Sequence, residues 1–239
     1  MTEKGFEQHG SQKHEKRYTR NGTTVTPEEM RILRESSVCV LGCGGLGGGV
    51  IEGLARIGVG RITAVDGDVF DESNLNRQVL SNENNIGKSK AREAAAQMKL
   101  INSEVEIIPV TEFLDEENAA GIIKGHDIAV DALDSVTARK LLERTCEEED
   151  IPLVHGAIAG WNGQVAVIMP GDRLLETIYE GSEDRGEETV TGNPSFTPAV
   201  ISAMEVAETI KVLLGKDGVL RNRLLMMDLL NHQYETIDF

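Results

Sequence analysis

Residues 38–77, VCVLGCGGLGGGVIEGLARIGVGRITAVDGDVFDESNLNR, restrict the fold more than any other part of the chain. An apolar run at residues 38–41 meets a turn carrying Gly42, Gly44, Gly45 and Gly47, and a helical pattern continues through Ile57. A second apolar run follows and ends in an acidic pair, Asp66 and Asp68. Strand, glycine turn, helix and a strand closing on an acid make the layout of a nucleotide-binding βαβ unit. The glycines permit the turn and the close approach of a phosphate chain, and the helix N-terminus supplies N–H groups and positive dipole. The aspartate at the second strand end suits ribose hydroxyls. The motif alone says nucleotide and not which one: NAD, FAD and ATP binders share such turns, and tight packing also uses them.

The flanking segments alternate between helix and strand. Thr26-Pro27-Glu28-Glu29 predicts a helix start, with Thr as N-cap, Pro first and acids in the first turn, running to about Glu35. Residues 71–78 read as a loop with one short helical turn, and residues 88–101, rich in Ala and charged helix formers, as a helix. Residues 105–110 alternate as a strand, 116–123 as a short helix, and 127–130 with Ala132 as a third apolar strand ending in Asp131 and Asp134. A helix at 136–149 and a strand at 153–158 follow. This alternation predicts a doubly wound, Rossmann-like, mostly parallel α/β sheet.

From residue 158 the pattern changes. Asn162-Gly163 is a hairpin-turn signal, so antiparallel strands are expected to continue the parallel sheet. Residues 172–193, acidic and aperiodic, read as a mobile crossover segment. Residues 196–214 open with Pro198 and stop at Gly215, framing a long, mostly buried helix, and residues 223–229 and 233–238 read as a closing hairpin. With no internal repeat or linker, one continuous domain over residues 1–239 is expected, with a nucleotide-binding half at about 17–150 and a C-terminal half at about 151–239. Residues 1–16 read as loose, and Arg17-Tyr18-Thr19-Arg20 as a charged surface arm.

Charge narrows the partners. Lys plus Arg is 24 and Asp plus Glu is 40, and 24 − 40 = −16 argues against a nucleic-acid or anionic-membrane partner. A phosphate-rich ligand therefore needs cations gathered locally. Cys39, Cys43 and Cys146 lack paired spacing, which suits a reducing compartment, and no apolar span suggests export or membrane insertion. The expectation is a soluble cytoplasmic protein.

Those local cations are present. Arg77 follows Asp66 by eleven positions (77 − 66), and Lys90 sits near the start of the next helix. The C-terminal ends of strands and their loops form the ligand crevice of an open α/β sheet, so both can reach a triphosphate at the glycine turn. Asp134 lies on the same edge and can hold Mg²⁺ through its carboxylate. Arginine, lysine and a metal suit charge on a transferring phosphoryl centre, and hydride transfer needs none of them. Singly, each suits a surface salt bridge; three on one edge point to a site.

In order and spacing, Arg17-Tyr-Thr-Arg20, Gly42-Cys-Gly-Gly-Leu-Gly47, Asp66-Gly-Asp68, Asn74-Leu-Asn-Arg-Gln78, Gly87-Lys-Ser-Lys90 and Asp131-Ala-Leu-Asp134 resemble the MoeB/ThiF/HesA family across residues 17–169, with a weaker match to residue 239. These bacterial relatives of ubiquitin-activating enzymes adenylate the C-terminal glycine of ubiquitin-fold sulfur-carrier proteins. The resemblance implies that Gly42, Gly44, Gly45 and Gly47 cradle ATP, that Asp66 holds the ribose with Asp68 beside it, and that Asn74, Arg77, Gln78 and Lys90 surround the phosphates. It implies Asp134 as the Mg²⁺-linked catalytic aspartate, and a homodimer in which Arg20 reaches the neighbouring site. The partner implied is a small ubiquitin-fold carrier ending in Gly-Gly.

The departures also matter. Many members carry two Cys-x-x-Cys pairs that bind structural zinc, yet residues 169–179 and 224–239 contain no cysteine, so no zinc site is expected. Many also carry a thiol in the crossover, and residues 176–193 have none, which leaves adenylation as the step the resemblance implies and a later thiol step open. Cys43 reads as a packing residue, His155 as a satisfied buried histidine, Trp161 as hairpin packing or groove lining, and Met204, Met226 and Met227 as core. Three alternatives stand beside the carrier-activating reading: an ATP-dependent tRNA-modification dehydratase of the same superfamily, an NAD(P)-binding oxidoreductase, and a non-catalytic ATP-binding paralogue.

Overall fold

A computed structural model describes residues 16–182, 184 and 188–239, so the expectations for residues 1–15, 183 and 185–187 fall outside it. The elements run α1 (Pro27–Glu35), β1 (Ser37–Leu41), α2 (Gly45–Ile57), β2 (Arg61–Val65), α3 (Lys90–Ile101), β3 (Glu106–Val110), α4 (Ala119–Ile123) and β4 (Ile128–Asp131). Then come α5 (Val136–Glu148), β5 (Leu153–Ala159), β6 (Asn162–Ile168), α6 (Leu174–Ile178), α7 (Glu188–Thr191), α8 (Phe196–Leu213), β7 (Arg223–Asp228) and β8 (Gln233–Asp238).

Among the described residues the strands form one sheet in the order β3-β2-β1-β4-β5-β6-β7-β8. From β3 to β5 every pairing is parallel, and from β5 to β8 every pairing is antiparallel. The expected mixed α/β architecture is therefore present. The central strands are buried on both faces, as parallel strands covered by helices must be. Val38 and Val40 join a core under α1, α2, α3 and α8, whereas Cys39 and Leu41 join one under α4, α5 and α6. Pro109 is tolerated because β3 is an edge strand, where a missing N–H donor breaks no ladder. Chain order reverses at β1: β2 and β3 lie to one side, β4 and β5 to the other. In the register, Leu41 pairs with both Val65 and Asp131, so three strands end level at that switch point. Such a point is where open α/β sheets bind ligands.

Thr26 caps α1 as expected, with its hydroxyl accepting from Glu29 N and the Glu29 carboxylate accepting from Thr26 N, a reciprocal capping box. Several local expectations need correction. The β5–β6 turn is Gly160-Trp161, because Ala159 pairs with Asn162 and Gly160 supplies φ +56°. Asn162-Gly163 instead opens β6, and Gly163 is needed there because a Cβ would lie 2.3 Å from Ile201 of α8. Arg17–Arg20 is not merely a surface arm. Tyr18 is buried, its hydroxyl accepts a hydrogen bond from Asn102 (2.9 Å), and the Arg34 guanidinium lies over its ring. The helix expected at 116 begins at Ala119, because Asp115 and Asn118 close a turn ahead of it. Met227 is core, but Met226 is 42% exposed, since adjacent residues of a strand point to opposite faces. Trp161 packs on Phe196 with ring centroids 4.3 Å apart, and both keep an exposed side. The crossover carries α6 and α7.

Candidate active site

A pocket opens at the C-terminal ends of β1, β2, β3 and β4, over the switch point. Its floor is the turn between β1 and α2. Gly42 takes φ +99°, and a Cβ there would meet Ala132 O at 2.5 Å. Gly44 precedes α2 without a side-chain cap, so the first N–H groups of the helix face the pocket side without intrahelical partners. Asp66 braces the turn from the end of β2: its Oδ2 accepts from Cys43 N and its Oδ1 from Asp68 N, both at 2.8 Å. Each carboxylate oxygen keeps a further lone pair for a ligand hydroxyl.

Arg77, Gln78, Lys90 and Asp134 line the same pocket. Lys90, at the first position of α3, is almost buried, and its ammonium lies 3.1 Å from Asp68 Oδ2. Arg77 Nη1 donates to Ser73 O (3.0 Å) and Asn76 Oδ1 (2.8 Å), which holds the guanidinium over the loop after β2. Gln78 is buried, and its Oε1 has no hydrogen-bond partner among the described residues. Asp134 is exposed on the rim, in the turn between β4 and α5. Arg77, Lys90 and the open helix terminus suit a polyphosphate, whereas the unpartnered Gln78 Oε1 can only accept and suits a donor. Among the described residues no group of three or more His, Cys, Asp or Glu could hold a metal. Mg²⁺ bound through one carboxylate and ligand phosphates needs no such cage.

Of the residues singled out in the sequence, Gly42, Gly44, Gly45, Asp66, Asp68, Arg77, Gln78, Lys90 and Asp134 meet in this pocket, whereas Gly47, Asn74 and Arg20 do not line it. Gly47 lies beneath the turn, where a Cβ would stand 1.8 Å from Gly42 O. Asn74 is buried and its Oδ1 accepts from Asp71 N at 3.0 Å, capping the short helical turn. Arg20 is exposed on the turn Lys16–Asn21. Sequence reasoning missed Phe113 and Leu114, after β3, and Asn193, at the end of the crossover, all of which line the pocket. Phe113 is 66% exposed and packs over Gly67. An exposed aromatic three residues beyond a strand of the crevice edge was the available signal.

A model of the ThiF family matches residues 18–239. The chain belongs to the ThiF family. It is an E1-like adenylyltransferase of the MoeB/ThiF type. The SAMP-activating enzyme E1 of Haloferax volcanii is 35% identical over 218 residues, covering 90% of this chain and 81% of that protein. The adenylyltransferase and sulfurtransferase MOCS3 of Xenopus laevis is 36% identical over 209 residues, covering 86% of this chain but 46% of that protein. This ThiF-family chain thus spans less than half of the MOCS3 relative. Among solved structures, PaaA superposes with a TM-score of 0.80 at 19% identity, over 100% of this chain and 77% of that one. E. coli MccB gives a TM-score of 0.80 at 20% identity, over 94% and 70%. At these identities the two structures speak for the fold.

Beneath the pocket lies a second polar feature that the sequence did not reveal. His155, fully buried and satisfied as expected, presents Nδ1 to Asp131 Oδ2 at 2.7 Å. Burial lowers its pKa and keeps it neutral, against the opposite pull of the Asp131 hydrogen bond. Cys43 packs as expected, and burial pushes its thiol well above the ordinary value. Glu205 of α8 is fully buried against Gly156, and neither carboxyl oxygen has a hydrogen-bond partner among the described residues. Desolvation raises its pKa well above the ordinary carboxylate value, so the neutral form is favoured. The available signal was an acid inside a helix otherwise apolar enough to be read as core.

Glu205 carries a pH prediction. Its folded pKa lies above the unfolded one, so its contribution is fully present below about pH 4.5 and is lost as pH rises towards the folded pKa. Glu205→Gln keeps the shape and cannot ionise. Thermal melts should show the variant gaining on wild type between pH 4.5 and pH 8, with little difference at the acidic end. A constant difference across that range would contradict a neutral Glu205.

Proposed function

We propose that this protein adenylates the C-terminal glycine carboxylate of a small ubiquitin-fold carrier protein ending in Gly-Gly, using ATP. The observation that carries this reading is the meeting of Arg77, Lys90 and Asp134 with the glycine turn on one crevice edge. The triphosphate lies along Gly42, Gly44 and Gly45, with the ribose at Asp66 and the base against the apolar wall of Phe113 and Leu114. Gly47 lets the helix approach the turn, and Asp68 and Asn74 hold Lys90 and the Arg77 loop in place. Gln78 offers its amide to a phosphate or the incoming carboxylate. Asp134 would hold Mg²⁺ arriving with the nucleotide, and the ion would neutralise charge on the phosphate oxygens.

The carrier carboxylate is a poor electrophile and a serviceable nucleophile. One of its oxygens attacks the α-phosphorus, the bond from that phosphorus to the bridging oxygen breaks, and pyrophosphate leaves with the electron pair. The product is an acyl-adenylate, activated for a later acceptor. Arg77 and Lys90 stabilise the charge that builds on the α-phosphate and the leaving group. Arg20, which does not line its own pocket, serves the pocket of a second copy, so the working form is a homodimer with composite sites. We place the reaction in the cytoplasm and in one domain spanning the chain, with no thiol in the crossover to continue it. A hydride-transfer site would leave Arg77, Lys90 and Asp134 without a task.

The test is isotopic exchange between pyrophosphate and ATP. Exchange should require ATP, Mg²⁺ and the carrier together, and should vanish with a carrier whose terminal carboxylate is amidated. Exchange driven by tRNA, or no exchange with any carrier of this type, would overturn the assignment.

A further inference from the structure

The polar groups beneath the pocket close into a ring that ends on the peptide before Asp134. Asp131, the last residue of β4, is fully buried and pairs in register with His155 of β5. Its Oδ1 accepts from Leu133 N at 3.0 Å, and its Oδ2 faces His155 Nδ1 and, at 3.7 Å, Arg139 Nε. Arg139, in the first turn of α5, donates Nη2 to Leu133 O at 2.6 Å. Leu133 is thus held at both ends, its N–H by Asp131 and its C=O by Arg139. That carbonyl belongs to the peptide unit leading directly into Asp134.

Tyr179 completes the ring. It follows α6, and its hydroxyl accepts from Arg139 Nη1 at 3.0 Å and from Gln164 Nε2 at 2.9 Å. Gln164 Nε2 also stands 3.0 Å from His155 Nε2, the acceptor nitrogen when Nδ1–H faces Asp131. The crossover is anchored along the same helix: Lys140 Nζ donates to Tyr179 O, and the Glu143 carboxylate accepts from Leu175 N and Glu176 N. A buried ion pair is weak support for stability, because desolvating both charges offsets most of their attraction. The planar fork of Arg139 does what no apolar residue could, fixing Leu133 and Tyr179 at once.

We propose that Arg139 is a positioning residue for Asp134, with Tyr179 as its tether, so that the rim aspartate is correctly placed only when the start of the crossover is docked on α5. This rests on the adenylylation reading of the pocket. Arg139 also lines the pocket, but its guanidinium is turned to Leu133 O, the Tyr179 hydroxyl and Asp131, so it acts through the Leu133 carbonyl.

Three variants, Arg139→Lys, Arg139→Gln and Tyr179→Phe, separate this from other roles. Misplacing a catalytic group by about 1 Å can cost on the order of 100-fold, so the Arg139 variants should lose about tenfold to 100-fold in kcat of pyrophosphate exchange. ATP affinity by calorimetry should stay within about threefold of wild type, because the guanidinium is already engaged by Leu133 O and the Tyr179 hydroxyl. Tyr179→Phe removes one hydroxyl, should fold normally, and should show the same split with a loss of about threefold to tenfold. If the Arg139 variants fail to fold, Tyr179→Phe decides alone. Equal losses of kcat and ATP affinity would make Arg139 a nucleotide ligand and overturn the proposal, as would unchanged kcat in all three. Wild type that shows no carrier-dependent exchange would instead overturn the adenylylation reading, and this inference with it; the silent wild type tells the two failures apart.

Discussion

Arg77→Ala and Asp134→Ala should each leave at most about one hundredth of wild-type pyrophosphate exchange, the scale on which removing one preorganised electrostatic contact acts. The two side chains reach the pocket from different loops, Arg77 after β2 and Asp134 after β4, so their losses report convergence on one reacting centre. Arg77 is already held by Ser73 O and Asn76 Oδ1, so its guanidinium waits in place and needs no reorganisation. Arg77→Lys keeps the charge and loses the fork, and should recover only part of the activity. Neither residue supports the core: Asp134 is exposed and Arg77 half-buried, so melting temperatures should move little. Exchange rates near wild type in both alanine variants would remove the basis for placing phosphoryl chemistry in this pocket.

Gly47→Ala should be strongly destabilising. A Cβ at this position stands 1.8 Å from the backbone oxygen of Gly42 and 3.2 Å from the Ala132 side chain. A flexible side chain could swing away, but a backbone carbonyl in a turn fixed by Gly42 N to Val65 O and by Cys43 N to Asp66 has nowhere to go. Relief requires α2 to part from β1, which opens the buried core around Val50 and Ile51. The cost should be about 3 kcal/mol or more, at the upper end of overpacking. For a chain of this size that is a fall of roughly 6–12 °C in melting temperature. ATP affinity should fall as well, since the turn carries the N–H groups proposed to hold the phosphates. Gly121→Ala is the control: it lies in α4, no atom stands within 4 Å of the added Cβ, and stability should hold or rise by a few tenths of a kcal/mol. Equal melting temperatures for Gly47→Ala and wild type would show that the turn does not pack as described.

The features that were legible in the sequence are those written in adjacent residues. The β1 apolar run, the glycines after it and the capping box at Thr26 each depend on neighbours a few positions away, and each appears where the pattern put it. The misreadings arise where a distant segment decides. Asn162-Gly163 has the local chemistry of a turn, but Ile201 of α8 needs the space of the missing side chain, and the strand wins. Tyr18 reads as part of a charged arm until Asn102, from the end of α3, meets its hydroxyl. The site follows the same division. Asp66, Arg77 and Lys90 follow one another along the chain, and the crevice rule places them together. Asp131, Arg139, His155, Gln164 and Tyr179 come from three strands, a helix and a crossover. The register of β4 on β5, the pairing of β6 with β5 and the return of α6 onto α5 join them. Asn74, read from the sequence as a phosphate contact, lies outside the pocket lining and caps the turn that presents Arg77.

Attack of a carrier carboxylate on the α-phosphorus of ATP is most directly tested by following oxygen. With ¹⁸O in the C-terminal carboxylate of the carrier, the attacking oxygen becomes the bridge of the acyl-adenylate. Cleavage of that intermediate at its carbonyl by hydroxylamine then leaves the label on AMP. The adenylylation account predicts ¹⁸O in AMP and none in pyrophosphate or inorganic phosphate, as read by mass spectrometry. Label in inorganic phosphate would indicate attack at the γ-phosphorus, and either that result or unlabelled AMP released in step with carrier activation would contradict the account.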